Sequence, residues 1–87
     1  MAEVYLHAEL LQSMPRNAIQ RRRILDFVRA MAADPDMKGD FTDRDDTHRT
    51  RQIKIIGDHA ITYWHDAAVN TVMVVDMRLV SRQPISL

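Results

Sequence analysis

Cations, imidazoles and one indole are the side chains through which this chain could do chemistry. Arg49, Arg51 and Lys54 lie close together, and Arg78 and Arg82 sit on and just past the last apolar run. Such groups grip phosphate or carboxylate oxygens, and Arg does so with two parallel donors. Arg51 and Lys54 are three residues apart, so on a regular strand they face opposite sides. There are four His. His48 lies in an acid-rich stretch, His59 beside a Gly57-Asp58 turn signal, and His65 at the end of the following run. Each could exchange protons near neutral pH, and each equally suits a surface or strand-end position. His48 with Asp45 or Asp46 has the residue types of a metal site. The spacing matches neither a calcium loop nor HExxH, so no metal is expected. Zero Cys removes a thiol nucleophile, a disulfide framework and a Cys-based zinc site. No Ser-His-Asp order, Gly-rich phosphate loop or paired Glu dyad is present, and no cofactor is expected. The six Met read as core filler. Trp64 falls on the strand face opposite Ile61 and Tyr63, either covering the outer sheet or serving as an exposed anchor for a partner, and we favour the second.

These side chains must be held by elements that hydropathy marks out. Val4-Tyr5-Leu6 has the composition of a short strand. A short helical turn over Ala8–Met14 follows, with Leu10, Leu11 and Met14 at helical spacing. Ser13 and Pro15 then suggest a cap and first turn, and the segment from Pro15 to about Ala33 reads as the main helix. Ile24, Phe27, Val28 and Met31 form one apolar stripe on it. Arg22, Arg23, Asp26 and Arg29 lie opposite, with Arg22–Asp26 spaced as an i,i+4 pair. Ile19 falls among those charges and has no place in the stripe. Pro35 ends the helix at Asp34.

Residues 34–50 show no apolar period and read as a long loop, with Phe41 as its anchor to the core. The period then becomes two. Gln52–Ile56 and His59–Trp64 read as the arms of a hairpin turning at Gly57-Asp58, where Gly in first position suits a type II′ turn. Thr71–Val80 is the last strand. Its Met73, Val75, Met77 and Leu79 are expected to face the helices. The order β-α-α-β-β-β implies an α+β fold, a helix hairpin on one face of a mostly antiparallel four-stranded sheet.

Eighty-seven residues suffice for one domain, expected to span 1–87 with a frayed tail over 81–87. Twelve cations balance twelve carboxylates, which argues against avid non-specific binding to nucleic acid. The balance is uneven along the chain. Residues 14–33 carry a net +4, residues 34–46 a net −4 and residues 47–57 a net +3. No apolar run of 18 residues exists to span a membrane, and the first residues lack the pattern of a secretory signal, so a cytoplasmic location is expected.

The element order and several strings resemble the RelE/ParE superfamily of bacterial toxins from type II toxin–antitoxin systems. The strings are Ile24-Leu25-Asp26-Phe27-Val28 running to Asp34-Pro35, then Ile53-Lys54-Ile55-Ile56-Gly57-Asp58, Ile61-Thr62-Tyr63-Trp64, and Val72-Met73-Val74-Val75-Asp76-Met77-Arg78. The family pattern is a helix ending near Asn/Asp-Pro, a strand, a Gly-containing turn, a strand with a Tyr, and an apolar last strand with an Arg. The resemblance covers about residues 3 to 82. It implies a chain neutralised by a small cognate antitoxin, alone or within a homodimer or heterotetramer.

The resemblance implies one of two targets. RelE-like members are ribosome-dependent endoribonucleases that cut mRNA; ParE-like members poison DNA gyrase. Cleavage by 2′-hydroxyl attack needs a base, an acid and cations for the phosphorane charge. The matching candidates are Arg49, Arg51, Lys54 and Arg78, with His59 or His65 as proton carrier. Three departures weigh against cleavage. The family's frequent Tyr-Arg after the hairpin turn reads His59-Ala60, no Tyr follows the last strand, and net charge is zero. A ParE-like toxin is therefore the favoured reading, with Trp64, Arg78 and Arg82 toward the target. A member that keeps the fold and only binds its partner is the remaining alternative. For the antitoxin, the expected surface is the charged side of the main helix, Arg16, Ile19, Arg22, Arg23 and Arg29, within Leu10–Arg29. An acidic amphipathic segment laid there would cover Ile19 and pair with the guanidinium groups.

Overall fold

The computed structural model describes residues 1–80. The expectations for the tail 81–87 and for Arg82 lie outside the described residues. Strand β1 (Glu3–Leu6) is followed by a single helical turn, α1 (Ala8–Leu11), and by the long helix α2 (Ala18–Ala33). Strands β2 (Phe41–Arg44), β3 (Thr50–Ile56), β4 (His59–Asp66) and β5 (Thr71–Leu79) complete the described elements. They form one sheet in the order β1-β5-β4-β3-β2, antiparallel throughout except for the parallel pair β1–β5. The α+β class and the helix hairpin are as the sequence implied, with five strands where four were expected.

Helix α2 starts later than Pro15. Asn17 is its cap, with the side-chain oxygen accepting from Ile19 N at 2.9 Å and Gln20 N at 3.1 Å. Asn in this position satisfies two of the first turn's orphan donors, which Ser13 is too far away to do. Pro15 instead belongs to the connection, where the Arg21 guanidinium donates to the carbonyls of Pro15 and Arg16 at 3.1 Å each. The apolar stripe packs as its spacing dictates: Ile24 and Met31 are fully buried, and Phe27 meets Tyr63 edge-on at 5.5 Å. Complete burial of a side chain such as Ile24 contributes roughly 1.5–3 kcal/mol. The predicted Arg22–Asp26 pair does not form; Asp26 takes Arg29 at 3.5 Å.

The core lies between α2 and strands β4 and β5, and a bulge decides which β5 residues enter it. Thr62 pairs with Asp76 but Tyr63 pairs with Val74, leaving Val75 as the extra residue. One inserted residue reverses the alternation on one side of the bulge. Val72, Val74 and Met77 are therefore the buried set, while Val75 is 41% and Leu79 67% exposed. Of the four residues expected inward, only Met77 is.

The loop after α2 is shorter than the sequence suggested, because it contains β2. Phe41 does not anchor it; that ring is 61% exposed and pairs across the strand with Ile53. Polar contacts do the anchoring. Asp40 N donates to the Ile53 carbonyl at 2.8 Å, Ile55 N donates to the Asp40 carboxylate at 2.9 Å, and Gly39 N donates to Gln52 Oε1 at 2.9 Å. A Cβ on Gly39 would press on the Ile53 backbone, 2.7 Å from its carbonyl carbon, so this approach requires glycine. At the hairpin, Gly57 has φ +60 and is the turn's one residue with positive φ, as a II′ turn requires.

Candidate functional site

Two surfaces hold the candidate side chains. The first is the sheet face away from the helices. There the β2–β3 register sets Asp43 opposite Arg51, and the β4–β5 register sets Ala60 opposite Arg78. A groove of about 380 Å³ results, lined by Asp43, Arg51, Ile53, Thr62, Asp76 and Arg78. Arg51 and Arg78 are thus brought together, though each already has a carboxylate. Arg51 binds Asp43 through two parallel hydrogen bonds of 2.9 and 2.8 Å, and Arg78 Nε lies 2.6 Å from Asp76. The Asp43 hydrogen bond also raises the pKa of the Arg51 guanidinium, fixing its charge.

The remaining cations follow the same rule. Arg49 pairs with Asp45 at 3.4 Å and stacks over the Trp64 ring, 3.8 Å from its centre. One face of the Trp64 ring is therefore covered by a cation, and the residue is partly exposed. Lys54 reaches Asp40 at 3.4 Å, on the helix side of the sheet. Asp40 is held below its ordinary value by the Ile55 N–H it accepts and by Lys54. Asp45 is lowered by the Thr47 hydroxyl and by backbone N–H groups of the β2–β3 turn. Its Oδ1 accepts from Thr47 N, Thr47 Oγ1 and Arg49 N, so the carboxylate near His48 is committed to the turn. Among the described residues no group of three His, Asp or Glu could hold a metal ion.

The two proton-carrier candidates lie apart. His59 and His65 stand at opposite ends of β4, about 20 Å from each other at 3.3 Å per residue. His59 is buried at the hairpin end, with Nδ1 2.8 Å from Asp58. His65 is bound to Asp36 at 2.9 Å and Asn70 at 3.1 Å. Its pKa is raised, chiefly by the Asp36 hydrogen bond. Either imidazole could serve alone, but Lys54 lies on the sheet face opposite Arg51 and Arg78, so the six nuclease candidates do not converge on one centre.

The second surface is the outer side of α2. The helical period puts Arg22 and Arg29 on a ridge, with Ile19 on one flank and Leu25 on the other. Ile19 is 76% exposed, and it borders a groove of about 390 Å³ with Pro15, Asn17, Gln20, Gly57 and His59. Leu25, 38% exposed, borders a second groove of about 300 Å³ with Ala18, Arg21, Arg22 and Arg29. Leu25 was missed in the sequence, although it lies three residues from Arg22 and outside the buried stripe. Among the described residues, Arg16, Arg22 and Arg23 make no ion pair; Arg23 only approaches Gln20 Oε1 at 3.4 Å. Five of the chain's Arg thus lie on or beside a helix where one Asp is their acidic company.

No protein-family model and no curated protein matches the chain. Among solved structures it is similar to a chain in the archaeal RelE–RelB complex from Pyrococcus horikoshii OT3. The TM-score is 0.70 at 17% sequence identity, over 94% of this chain and 98% of that one. A likeness of that depth over nearly the whole of both chains is a likeness of fold, and this chain has the RelE-like fold that its element order implied.

Proposed function

We propose that this protein is the toxin of a toxin–antitoxin pair, of the ParE-like kind, and that it arrests growth by binding a protein target such as DNA gyrase. The observation that carries the choice is charge pairing on the sheet. Arg49, Arg51, Lys54 and Arg78, which a nuclease would use for phosphate, each face an Asp of the same chain. An RNA phosphate arriving there meets a neutral pair. Arg49 on Trp64, with Arg78 beyond, remains a surface suited to a folded protein target, since an aromatic ring and an Arg are common interface anchors.

Induction of the chain alone in a bacterium is expected to stop growth and to accumulate stalled gyrase–DNA cleavage complexes. Healthy growth would reject toxicity and leave a member that only binds its partner. The RelE-like alternative is separated by primer extension on mRNA during induction. Codon-positioned cuts that vanish in Arg78→Ala would establish cleavage, and intact message excludes it. A short acidic, helix-forming product encoded beside this chain would support the pair.

The antitoxin is expected on the outer side of α2, across Arg16, Ile19, Arg22, Arg23 and Arg29, where among the described residues only Arg29 has a carboxylate partner and Ile19 is exposed. Combined alanine substitution of Arg16, Arg22 and Arg23 should weaken binding and flatten its salt dependence, since Arg22 and Arg23 are exposed on α2 and Arg16 is exposed in the connection before it. Titration calorimetry at two salt concentrations reads this. Unchanged affinity at both would move the partner to the sheet around Trp64 and Arg78.

A further inference from the structure

We propose that His65, in its protonated form, is a pH-sensitive latch that ties the loop between α2 and β2 to the β4–β5 turn. The ring bridges two segments far apart in the chain. Nδ1 lies 2.9 Å from Asp36 Oδ1, in the loop, and Nε2 lies 3.1 Å from Asn70 Oδ1, in the turn. A carboxylate and an amide oxygen only accept, so both bonds form together only when both ring nitrogens carry hydrogen. A neutral ring has one donor and must release one side. Turning the Asn70 amide would let a neutral ring accept at Nε2, and the experiment below distinguishes that case.

The surroundings favour the cation. From the loop the ring faces Asp36, with Lys38 further along the same wall; from its own strand it has Asp66 and Tyr63. The Tyr63 phenol, pushed up to about 12 by burial, stays neutral throughout the range in which an imidazole titrates. From β5 the paired residue is Val72, itself paired with Val4 of β1, and from β3 the wall is Thr50 and Gln52, so these elements add no charge. Burial of the ring opposes the charge, but the Asp36 bond outweighs it.

The device has a geometric consequence. The loop forms one wall of a cavity of about 300 Å³, lined by Pro35, Asp36, Met37, Lys38, Trp64 and His65 among others. On its inner side the loop is held independently of pH by Tyr63 Oη, which donates to the Met37 carbonyl at 2.9 Å. Loss of the His65 bridge therefore frees the Asp36 edge of that wall, while the rest stays docked. Because the folded pKa lies above the ordinary 6.5, the latch closes as pH falls through that higher folded value and opens as pH rises through it.

The test is a pH titration of the full chain followed by long-range 15N–1H NMR of the imidazole, with the backbone 15N–1H order parameter of Asp36 in parallel. The expected result is a ring protonated at both nitrogens below its midpoint, a midpoint above 6.5, and order at Asp36 that falls through the same midpoint. Asp36→Asn should lower the ring's midpoint. His65→Gln should abolish the pH-dependent change at Asp36 while leaving the far-ultraviolet dichroism unchanged. A parent ring that titrates at or below 6.5, or order at Asp36 indifferent to the His65 midpoint, would each overturn the latch. None of these readouts depends on what the protein targets.

Discussion

If internal carboxylates are what keep the sheet from binding nucleic acid, removing their charge should create such binding. Asp43→Asn, Asp45→Asn and Asp76→Asn together leave Arg51, Arg49 and Arg78 without anionic partners, and each Asn retains an oxygen for the backbone. That oxygen matters at Asp45, whose Oδ1 accepts from Thr47 N and Arg49 N, and at Asp76, whose Oδ1 accepts from Met77 N at 2.9 Å. Three lost negatives take the chain from a net charge of 0 to +3. If the three freed guanidinium groups each engage one phosphate, log K against log salt should fall with a slope of roughly −2, at about −0.7 per phosphate on a single strand. Affinity for a short single-stranded RNA would then drop about 20-fold between 50 and 200 mM salt by the same relation. Fluorescence anisotropy with labelled RNA measures this, and circular dichroism confirms that the triple variant is folded. The parent should show little binding and almost no salt slope. A parent that already binds with a slope near −2 would refute the reasoning, because the pairs would then be yielding to phosphate. A folded triple variant as inert as the parent would refute it equally.

Three further outcomes test the fold that positions these surfaces. Ile24→Ala, which empties a fully buried site under the sheet, should cost about 2–5 kcal/mol in urea unfolding. Gly39→Ala drives a Cβ into the Ile53 backbone and should cost roughly 1–3 kcal/mol, with lost amide protection at Gly39 and Asp40 in hydrogen exchange. Asp40 and Asp45 are depressed below 3.8 in the folded chain, so the stability they contribute is present above their unfolded values and is lost as pH falls through the folded ones. Thermal unfolding between pH 5 and pH 2 should show that loss, and Asp40→Asn should reduce it.

The long helix and the hairpin were legible because their hydropathy follows a single period, and the last strand because its apolar run is dense in β-formers. Ile24, Phe27, Val28 and Met31 could face one way only on a helix, and Gly57 marked its own turn. Strand β2 was not legible. Phe-Thr-Asp-Arg has no alternation, and what makes it a strand is pairing with β3, assisted by Asp40 and Gln52. The β5 bulge was hidden for the opposite reason: an unbroken apolar run fits either face, and only the register with β4 selects Val72 and Val74 over Met73 and Val75. The ion pairs of the sheet depend on the same missed strand. Asp43 lies eight residues from Arg51 and Asp40 fourteen from Lys54, separations at which no local rule links them. The exposed Arg and Ile19 of α2 needed only the helical period, so that surface was readable in advance.

The same folding event explains why the chain is neutral overall yet unequal between its two sides. Residues 34–46 carry a net −4 and residues 47–57 a net +3. Pairing β2 with β3 lays the first run against the second, so that Asp40, Asp43 and Asp45 meet Lys54, Arg51 and Arg49. The acid-rich segment thus acts in cis, occupying on the sheet the sites that an acidic ligand would seek. Among the described residues the five Arg of residues 14–33 have no such counterpart: Asp26 alone answers them, through Arg29, and a net +4 is left over. An acidic partner approaching the sheet must displace carboxylates held at the local concentration of a paired strand, whereas on α2 it displaces only solvent and counterions. Electrostatic steering should therefore deliver such a partner to the helix side even though the whole molecule has no net charge.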